Sequence, residues 1–328
     1  MINKIENSSF LITGGAGFIG SNIVNYLLAN NAKRVRVLDN FSNGFKKNIE
    51  PFMSLPNFEL FEGDIRSYDD CLKACNGIDY VSHQAALGSV PRSIKDPVTT
   101  NEVNISGFLN MLLAVKESGI KRMVYAASSS TYGDSKVLPK VEDVIGKPLS
   151  PYAVTKYVNE LYAHVFALNY GIETIGLRYF NVFGPKQDPN GAYAAVIPLF
   201  IQAILDNKAP FINGDGEQTR DFTYVDNAVQ ANVLAMLSDN ESAVNQIYNV
   251  AVGDRTSVKQ MFDILAAVEN KDLKPVFREG RQGDVRDSLA DIQKARELIN
   301  YNPKINFKEG LKITYQWYKD NQEFIHQK

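Results

Sequence analysis

The run Phe10-Leu11-Ile12-Thr13-Gly14-Gly15-Ala16-Gly17-Phe18-Ile19-Gly20 decides the fold of this chain. Its first four residues, apolar or β-branched, predict a buried strand, and the glycines at 14, 17 and 20 predict a tight turn into a helix. Such glycines allow the backbone to approach a pyrophosphate, which then lies at the positive N-terminus of the helix. We therefore expect a dinucleotide-binding turn after the first strand.

An acidic residue ends the second predicted strand. Asp39 lies 19 residues after Gly20, close to the spacing of about 20 residues expected for a ribose-binding carboxylate. A carboxylate here accepts hydrogen bonds from both ribose hydroxyls and repels a 2′-phosphate, so the sequence favours NAD over NADP as cofactor. A glycine turn beside a solvated aspartate is the plain alternative, which the complete strand–turn–helix context disfavours.

Short apolar strands alternate with helical stretches through the first half of the chain. The predicted strands are 10–13, 35–38, 58–61, 79–83, 122–127, 173–178 and 247–250. This alternation predicts an α/β fold, a doubly wound parallel Rossmann sheet with right-handed crossovers. We expect an NAD-binding domain from residues 1–180 plus 226–252. A smaller α/β substrate-binding domain would comprise 181–225 plus 253–328, where Gly, Pro, Asn and Asp are frequent.

Composition excludes several classes of protein. The 328-residue chain is 45% hydrophobic and 22% charged, with a formal net charge of −2, so it offers no electrostatic basis for binding nucleic acid or a membrane surface. No window reaches the ~18 apolar residues of a spanning helix, and residues 1–6 do not resemble a secretory signal. Cys71 and Cys75 have no second pair nearby, so we expect no metal site. These features predict a cytoplasmic globular protein.

Three residues suggest acid–base chemistry. Tyr152 and Lys156 lie at i and i+4 on a predicted helix, and Ser128 ends the fifth predicted strand, where catalytic groups of such sheets are found. A free phenol has a pKa of about 10, and a neighbouring ammonium together with a positive nicotinamide ring would lower it. A packed tyrosine with a solvated lysine is the alternative, which the adjoining dinucleotide turn disfavours.

The chain resembles the extended short-chain dehydrogenase/reductases, and among them the nucleotide-sugar 4-epimerases, from Phe10 to about Trp317. Besides the motifs above, the resemblance rests on Asp64-Ile65, Asn104, Arg178-Tyr179-Phe180-Asn181-Val182-Phe183-Gly184-Pro185, Arg220-Asp221-Phe222-Thr223-Tyr224-Val225-Asp226 and Arg281-Gln282-Gly283-Asp284-Val285. These motifs are typical of enzymes that act on nucleotide diphosphate sugars.

The resemblance implies a role for each site residue. Tyr152 would take the proton of the sugar 4-hydroxyl, Lys156 would hold the nicotinamide ribose, and Ser128 would bridge the 4-oxygen. Tightly bound NAD would be held by Gly14, Gly17, Phe18, Ile19, Asp39, Asn40, Asp64, Ile65, Gln84, Ala85, Ala86, Asn104, Tyr152, Lys156 and Tyr179. The UDP-sugar would contact Gly88, Ser89, Ser128, Ser129, Tyr152, Asn181, Gln187, Ala195, Val196, Asn213, Arg220, Arg281 and Ser288.

The resemblance also implies a homodimer through a four-helix bundle. Two predicted helices, near 104–115 and 152–168, have apolar residues left over once one face of each is buried. These residues are Leu109, Leu112, Leu161, Val165 and Leu168. They would form the bundle, although the same residues would also serve in a core.

Two local features bear on the sugar. No acid follows Ser128, where the related dehydratases resemble each other in having one, and this argues against elimination of water. Ser288 stands where the family's pocket is bounded by either a bulky aromatic or a small residue, and a serine leaves room for an N-acetyl group. We therefore expect interconversion of UDP-GlcNAc and UDP-GalNAc, or of their uronic acid forms. A UDP-glucose or UDP-glucuronate 4-epimerase and a non-catalytic dinucleotide-sensing regulator remain the alternatives.

Overall fold

The computed structural model of the chain describes residues 1–189, 196–269, 271–279 and 286–326. The strands are β1 Ser9–Thr13, β2 Arg34–Asp39, β3 Phe58–Glu62, β4 Tyr80–His83, β5 Arg122–Ser128, β6 Thr174–Tyr179, β7 Val182–Phe183, β8 Phe211–Asn213, β9 Thr219–Arg220, β10 Thr223–Tyr224, β11 Gln246–Val250, β12 Thr256–Ser257 and β13 Val276–Arg278. The α-helices are α1 Ile2–Glu6, α2 Phe18–Ala29, α3 Tyr68–Cys75, α4 Val90–Lys95, α5 Pro97–Asn101, α6 Gly107–Glu117, α7 Pro151–Tyr170, α8 Val196–Leu205, α9 Val225–Leu237, α10 Val258–Val268, α11 Gln293–Ile299, α12 Phe307–Asp320 and α13 Gln322–His326.

Seven strands form one parallel sheet in the order β11-β6-β5-β4-β1-β2-β3. All seven strands predicted from the sequence are present, and β11 returns to pair in parallel with β6, as expected. The strand order reverses beside β1, so the loops after β1 and β4 diverge at the carboxyl edge. Such a switch point leaves a crevice for a ligand in doubly wound folds.

Local chemistry sets the ends of the two helices that carry the predicted site. A Cβ at Gly20 would lie 2.2 Å from the Gly14 carbonyl oxygen, so α2 packs against the turn only with glycine there. The Ser150 side chain accepts a hydrogen bond from Ala153 N at the start of α7, and Gly171 ends that helix in the left-handed region with φ 66°.

Two apolar cores lie among the helices and the sheet. The second contains both cysteines, fully buried, and burial raises the pKa of each thiol to about 12. It also contains Leu112, which has no exposed surface. The prediction that Leu112 is left over for a dimer interface is therefore wrong, because α6 packs it against the sheet.

The segments beyond residue 180 form smaller sheets around the main one. β7 pairs with β10, β9 with β12, and β8 with β13. The structure adds one buried helix that we did not predict, α9, whose apolar residues lie in the core. The division of the chain into two domains stays a prediction. In the described ranges, no helix is both long enough and apolar enough to cross a membrane.

Candidate active site

A cleft opens at the switch point, along the carboxyl ends of β1, β2 and β4. Nine of the predicted cofactor residues line it: Gly14, Gly17, Asp39, Asn40, Asp64, Ile65, Gln84, Ala85 and Ala86. A Cβ at Gly14 would lie 2.7 Å from Ala85 N, and Gly14 has φ +67°, which a side chain rarely tolerates. The turn therefore packs against the loop after β4 only because residue 14 is glycine.

Asp39 is buried at the end of β2 and faces this cleft. Its two carboxylate oxygens accept hydrogen bonds from Ala16 N at 2.9 Å and Phe41 N at 2.8 Å. Burial raises the pKa of Asp39 and these two bonds lower it in part. A carboxylate has about four acceptor positions, so two remain for the hydroxyls of a ribose. The glycine cradle and this acid fit NAD.

Other predicted cofactor residues lie behind the cleft. The Tyr179 hydroxyl bonds Gln84 Oε1 at 3.2 Å and Asn232 Nδ2 at 2.7 Å, and burial raises its pKa to about 12. Phe18 and Ile19 begin α2 and pack, half-buried, against the first core. Phe18 and Ile19 form the N-terminus of α2. Direct contact of Tyr179, Phe18 and Ile19 with the cofactor stays a prediction.

Asn104 ties the loop after β4 to the helix that carries the predicted catalytic pair. Its Oδ1 accepts from Leu87 N at 2.8 Å, and its Nδ2 donates to Thr155 Oγ1 at 3.1 Å. Thr155 lies on α7 between Tyr152 and Lys156. Asn104 is buried and uses both ends of its amide within the protein, and its direct contact with the cofactor stays a prediction.

The three predicted catalytic residues meet beside the carboxyl end of β5. The Tyr152 phenol forms a hydrogen bond with the Ser128 side chain. Lys156 Nζ lies 5.9 Å from the centroid of the Tyr152 ring and donates to Ala126 O at 2.7 Å. The neighbouring Ser130 hydroxyl donates to Ser128 Oγ at 2.9 Å. This arrangement can pass a proton between a bound hydroxyl and the phenol.

Burial shifts the pKa values of both Tyr152 and Lys156. Burial raises the pKa of Tyr152, and the bond with Ser128 lowers it only in part. Burial also lowers the pKa of Lys156 to about 8, against the pull of the Glu160 carboxylate. Desolvation therefore dominates at Tyr152 in the protein alone, and the lowering of its pKa by the ammonium together with a positive nicotinamide ring stays a prediction. A positive ring beside the phenol is the further charge that stabilises phenolate.

Sequence reasoning missed a buried ion pair behind the catalytic helix. Arg178 of β6 donates to both Glu160 oxygens, from Nε at 2.9 Å and from Nη2 at 2.8 Å. The two side chains are 3% and 4% exposed. Arg178 also donates to Glu142 O and lies 4.8 Å from the centroid of the Tyr132 ring. Glu160 follows Lys156 by one helical turn, and that spacing was the available signal.

A second cavity, of about 340 Å³, lies against the same edge of the sheet. Five of the predicted substrate residues line it: Ser128, Ser129, Asn181, Arg220 and Ser288. Lys140 also lines it and was not predicted, because nothing in the surrounding loop sequence marks it. The cavity therefore joins the predicted catalytic serine, Ser128, to two cationic side chains.

The remaining predicted substrate residues are spread more widely. Val196 and Asn213 line a third cavity of about 410 Å³, and Gln187 uses its Nε2 to bond Val182 O at 3.2 Å. Gly88 is exposed. Ala195 and Arg281 lie outside the described residues.

Ser89 has a backbone outside the usual regions. It caps α4 with φ 119°, which is strained for a serine, and its side chain accepts from Arg92 N. Residues held in such conformations cluster at binding sites. Its neighbour Val90 lines the second cavity, and contact between Ser89 and a sugar stays a prediction.

Comparison with known proteins agrees with this geometry. The chain is 39% identical to the structure of UDP-N-acetylglucosamine 4-epimerase from Methanobrevibacter ruminantium in complex with UDP-N-acetylmuramic acid, with a TM-score of 0.90 over 96% of this chain and 99% of that one. It is 32% identical to UDP-glucuronic acid 4-epimerase from Bacillus cereus in complex with UDP-glucuronic acid and NAD, with a TM-score of 0.89, 95% of this chain and 99% of that one.

A curated relative is similar to this chain over nearly its whole length. UDP-glucose 4-epimerase from Mycolicibacterium smegmatis is 33% identical over 315 residues, which are 95% of this chain and 99% of the relative. The model of the NAD dependent epimerase/dehydratase family matches residues 10–251. The chain therefore belongs to the NAD-dependent epimerase/dehydratase family.

Proposed function

We propose that this protein is an NAD-dependent UDP-sugar 4-epimerase that interconverts UDP-GlcNAc and UDP-GalNAc, or their uronic acid forms, through a 4-keto sugar. The observation that carries the proposal is that Ser128, which interacts with Tyr152, lines a cavity that Ser288 also lines. A small side chain on that wall leaves room for an acetamide, which a tyrosine would fill.

Each residue of the site has its own role in the proposed reaction. The Ser128 hydroxyl holds the sugar 4-oxygen, and Tyr152 accepts and later returns its proton. The chemistry that bound NAD supplies is reversible acceptance of the hydride from C4. Arg220 lines the cavity and matches a diphosphate by charge and by its planar fork of donors. Release of the sugar from Ser128 would allow rotation about the diphosphate, which would present the opposite face of C4 to the cofactor.

The chain next to Ser128 argues against the dehydratase reaction of the same family. The residues that follow, Ser129 to Tyr132, form a short helical turn with no carboxylate. Elimination of water from a sugar needs a positioned acid to protonate the leaving oxygen. Hydroxyl groups there fit an oxidation and reduction at one carbon.

The test is incubation of the purified chain with UDP-GlcNAc, without added NAD, followed by chromatography of the nucleotide sugars. UDP-GalNAc should appear, and UDP-glucose and UDP-glucuronate serve as comparison substrates. Tyr152→Phe should slow turnover by on the order of 10²–10⁴ while UDP-sugar binding persists. Absence of epimerised product from every UDP-sugar would exclude the proposed activity and favour the non-catalytic alternative.

We also propose that two copies associate through α6 and α7. Among the predicted interface residues, Leu161, Val165 and Leu168 are 49%, 46% and 71% exposed on α7. Leu109 of α6 is half-buried beside the second core. Exposed apolar residues on one side of a helix are typical of a face that packs against another protein. Two helices from each copy would complete a four-helix bundle.

A further inference from the structure

Lys140 is a buried cation on the wall of the cavity that we assign to the sugar. Its side chain and backbone together are 4% exposed, and it lines the cavity with Ser128 and Ser288. The backbone is fixed on both sides: Lys140 N donates to Leu289 O, and Lys140 O accepts from Asp291 N at 2.9 Å. The ammonium group is therefore held in place by the fold.

In the part of the chain that the structure describes, no carboxylate forms an ion pair with this ammonium group. Lys140 Nζ donates to Ser135 O and lies 6.0 Å from the centroid of the Tyr132 ring. Among the residues that the structure describes, no acidic side chain lies within ion-pair distance of it, and its pKa is lowered by burial alone. The acid on the cavity wall, Asp287, instead accepts from Thr219 Oγ1 at 2.6 Å.

A buried cation without a counter-charge is costly, so buried charges in proteins are nearly always paired. An ammonium has three N–H donors, and one of them is used by Ser135 O. The others remain for a ligand, and a carboxylate forms the strongest bonds with them. The Tyr132 ring belongs to the turn that follows Ser128, so Lys140 lies toward the reacting end of the cavity.

We propose that Lys140 selects a UDP-sugar whose hexose ring bears a carboxylate next to the reacting C4. This inference rests on the proposed epimerase function and narrows its substrate to acidic sugars. The carboxylate has two chemical sources: C6 of a hexuronic acid, attached through C5, or an acid ether-linked at O3. Either one would accept the free N–H bonds of Lys140 while the 4-hydroxyl stays on Ser128.

The experiment compares kcat/KM for UDP-GlcNAc, its uronic acid form and UDP-N-acetylmuramic acid. The intact protein should prefer one acidic sugar over UDP-GlcNAc by at least tenfold, and which one it prefers identifies the source of the carboxylate. Lys140→Met should reduce that preference by on the order of 10²-fold, as expected for removing one partner of a buried charge pair. Lys140→Arg should retain most of it.

Lys136→Met is the matched control, because Lys136 lies on the same loop but is exposed. It should leave the preference unchanged. Equal turnover of acidic and neutral sugars by the intact protein would overturn the role of Lys140 and leave the epimerase function standing. A preference for acidic sugars that is unchanged in Lys140→Met would also overturn the role of Lys140 and leave the epimerase function standing.

Binding separates the two proposals. In Tyr152→Phe, calorimetry should show that the acidic sugar binds more tightly than UDP-GlcNAc and that adding Lys140→Met removes the difference. If no UDP-sugar is epimerised, the proposed function fails, and this binding difference alone decides the assignment of Lys140. Identical affinities of Tyr152→Phe for acidic and neutral sugars would refute the proposed role of Lys140.

Discussion

The buried pair between Glu160 and Arg178 gives the sharpest prediction. Glu160→Gln keeps the size of the side chain but leaves the guanidinium without its counter-charge, at a site where Arg178 is 3% exposed. Removing one partner of a buried pair costs about 3–5 kcal/mol. Since whole domains are stable by only about 5–15 kcal/mol, we expect the urea midpoint to fall markedly. The fluorescence of Trp317, the one tryptophan of the chain, reports the transition.

Glu173→Gln is the matched control. Glu173 also pairs with an arginine, Arg122, with Nη2 and Oε2 2.7 Å apart, but its side chain is 43% exposed. Arg122 also donates to the carbonyl oxygens of Ala235, Met236 and Ser238. Since these partners remain and the lost carboxylate is exposed, the loss should be about 1 kcal/mol or less. A loss in Glu160→Gln no larger than in Glu173→Gln would refute the argument from burial.

The same variant should change the pH dependence of activity. Burial lowers the pKa of Lys156 to about 8 even though the Glu160 carboxylate raises it. The ammonium form of Lys156 is present below its pKa and is lost as the pH rises through it. Without Glu160, this loss moves to lower pH, so the alkaline decline of kcat should begin earlier. Nearby His83 stays neutral, since burial lowers its pKa to about 3. An alkaline decline at the wild-type pH would contradict this coupling.

Three further variants test the rest of the site. Gly14→Ala should abolish retention of NAD, because the new Cβ would overlap the backbone of the loop after β4. Chromatography of the denatured protein measures the retained NAD. Gly119→Ala is the control and should retain NAD, since Gly119 has a similar positive φ but lies in open space. Ser288→Tyr should abolish turnover of N-acetylated sugars and spare UDP-glucose, and undiminished turnover of UDP-GlcNAc would show that this wall does not set specificity. Leu161→Glu combined with Leu168→Glu should shift the sedimentation coefficient from that of a dimer to that of a monomer, whereas an unchanged value would exclude this face as the interface.

Local signals account for what the sequence could predict. The glycine turn, the acid after β2 and the pairing of Tyr152 with Lys156 depend on spacings of a few residues. Strand alternation depends on hydrophobic periodicity, which is also local. These signals predicted all seven strands of the main sheet and, in the cofactor cleft, Gly14, Gly17 and Asp39. The other six predicted residues of the cleft came from the resemblance to a known family.

Tertiary structure decided the rest, because burial and charge pairing depend on residues far apart in the chain. Leu112 and Leu168 were equivalent in sequence, yet one has no exposed surface and the other is 71% exposed. The sequence did not distinguish Lys140 from the other lysines. The structure places it in a cavity beside Leu289, beyond ion-pair distance of any described carboxylate. The sequence by itself determined where the backbone turns and which cofactor it admits, whereas only packing determined which side chains lose water, and desolvation is what sets their pKa values and their partners.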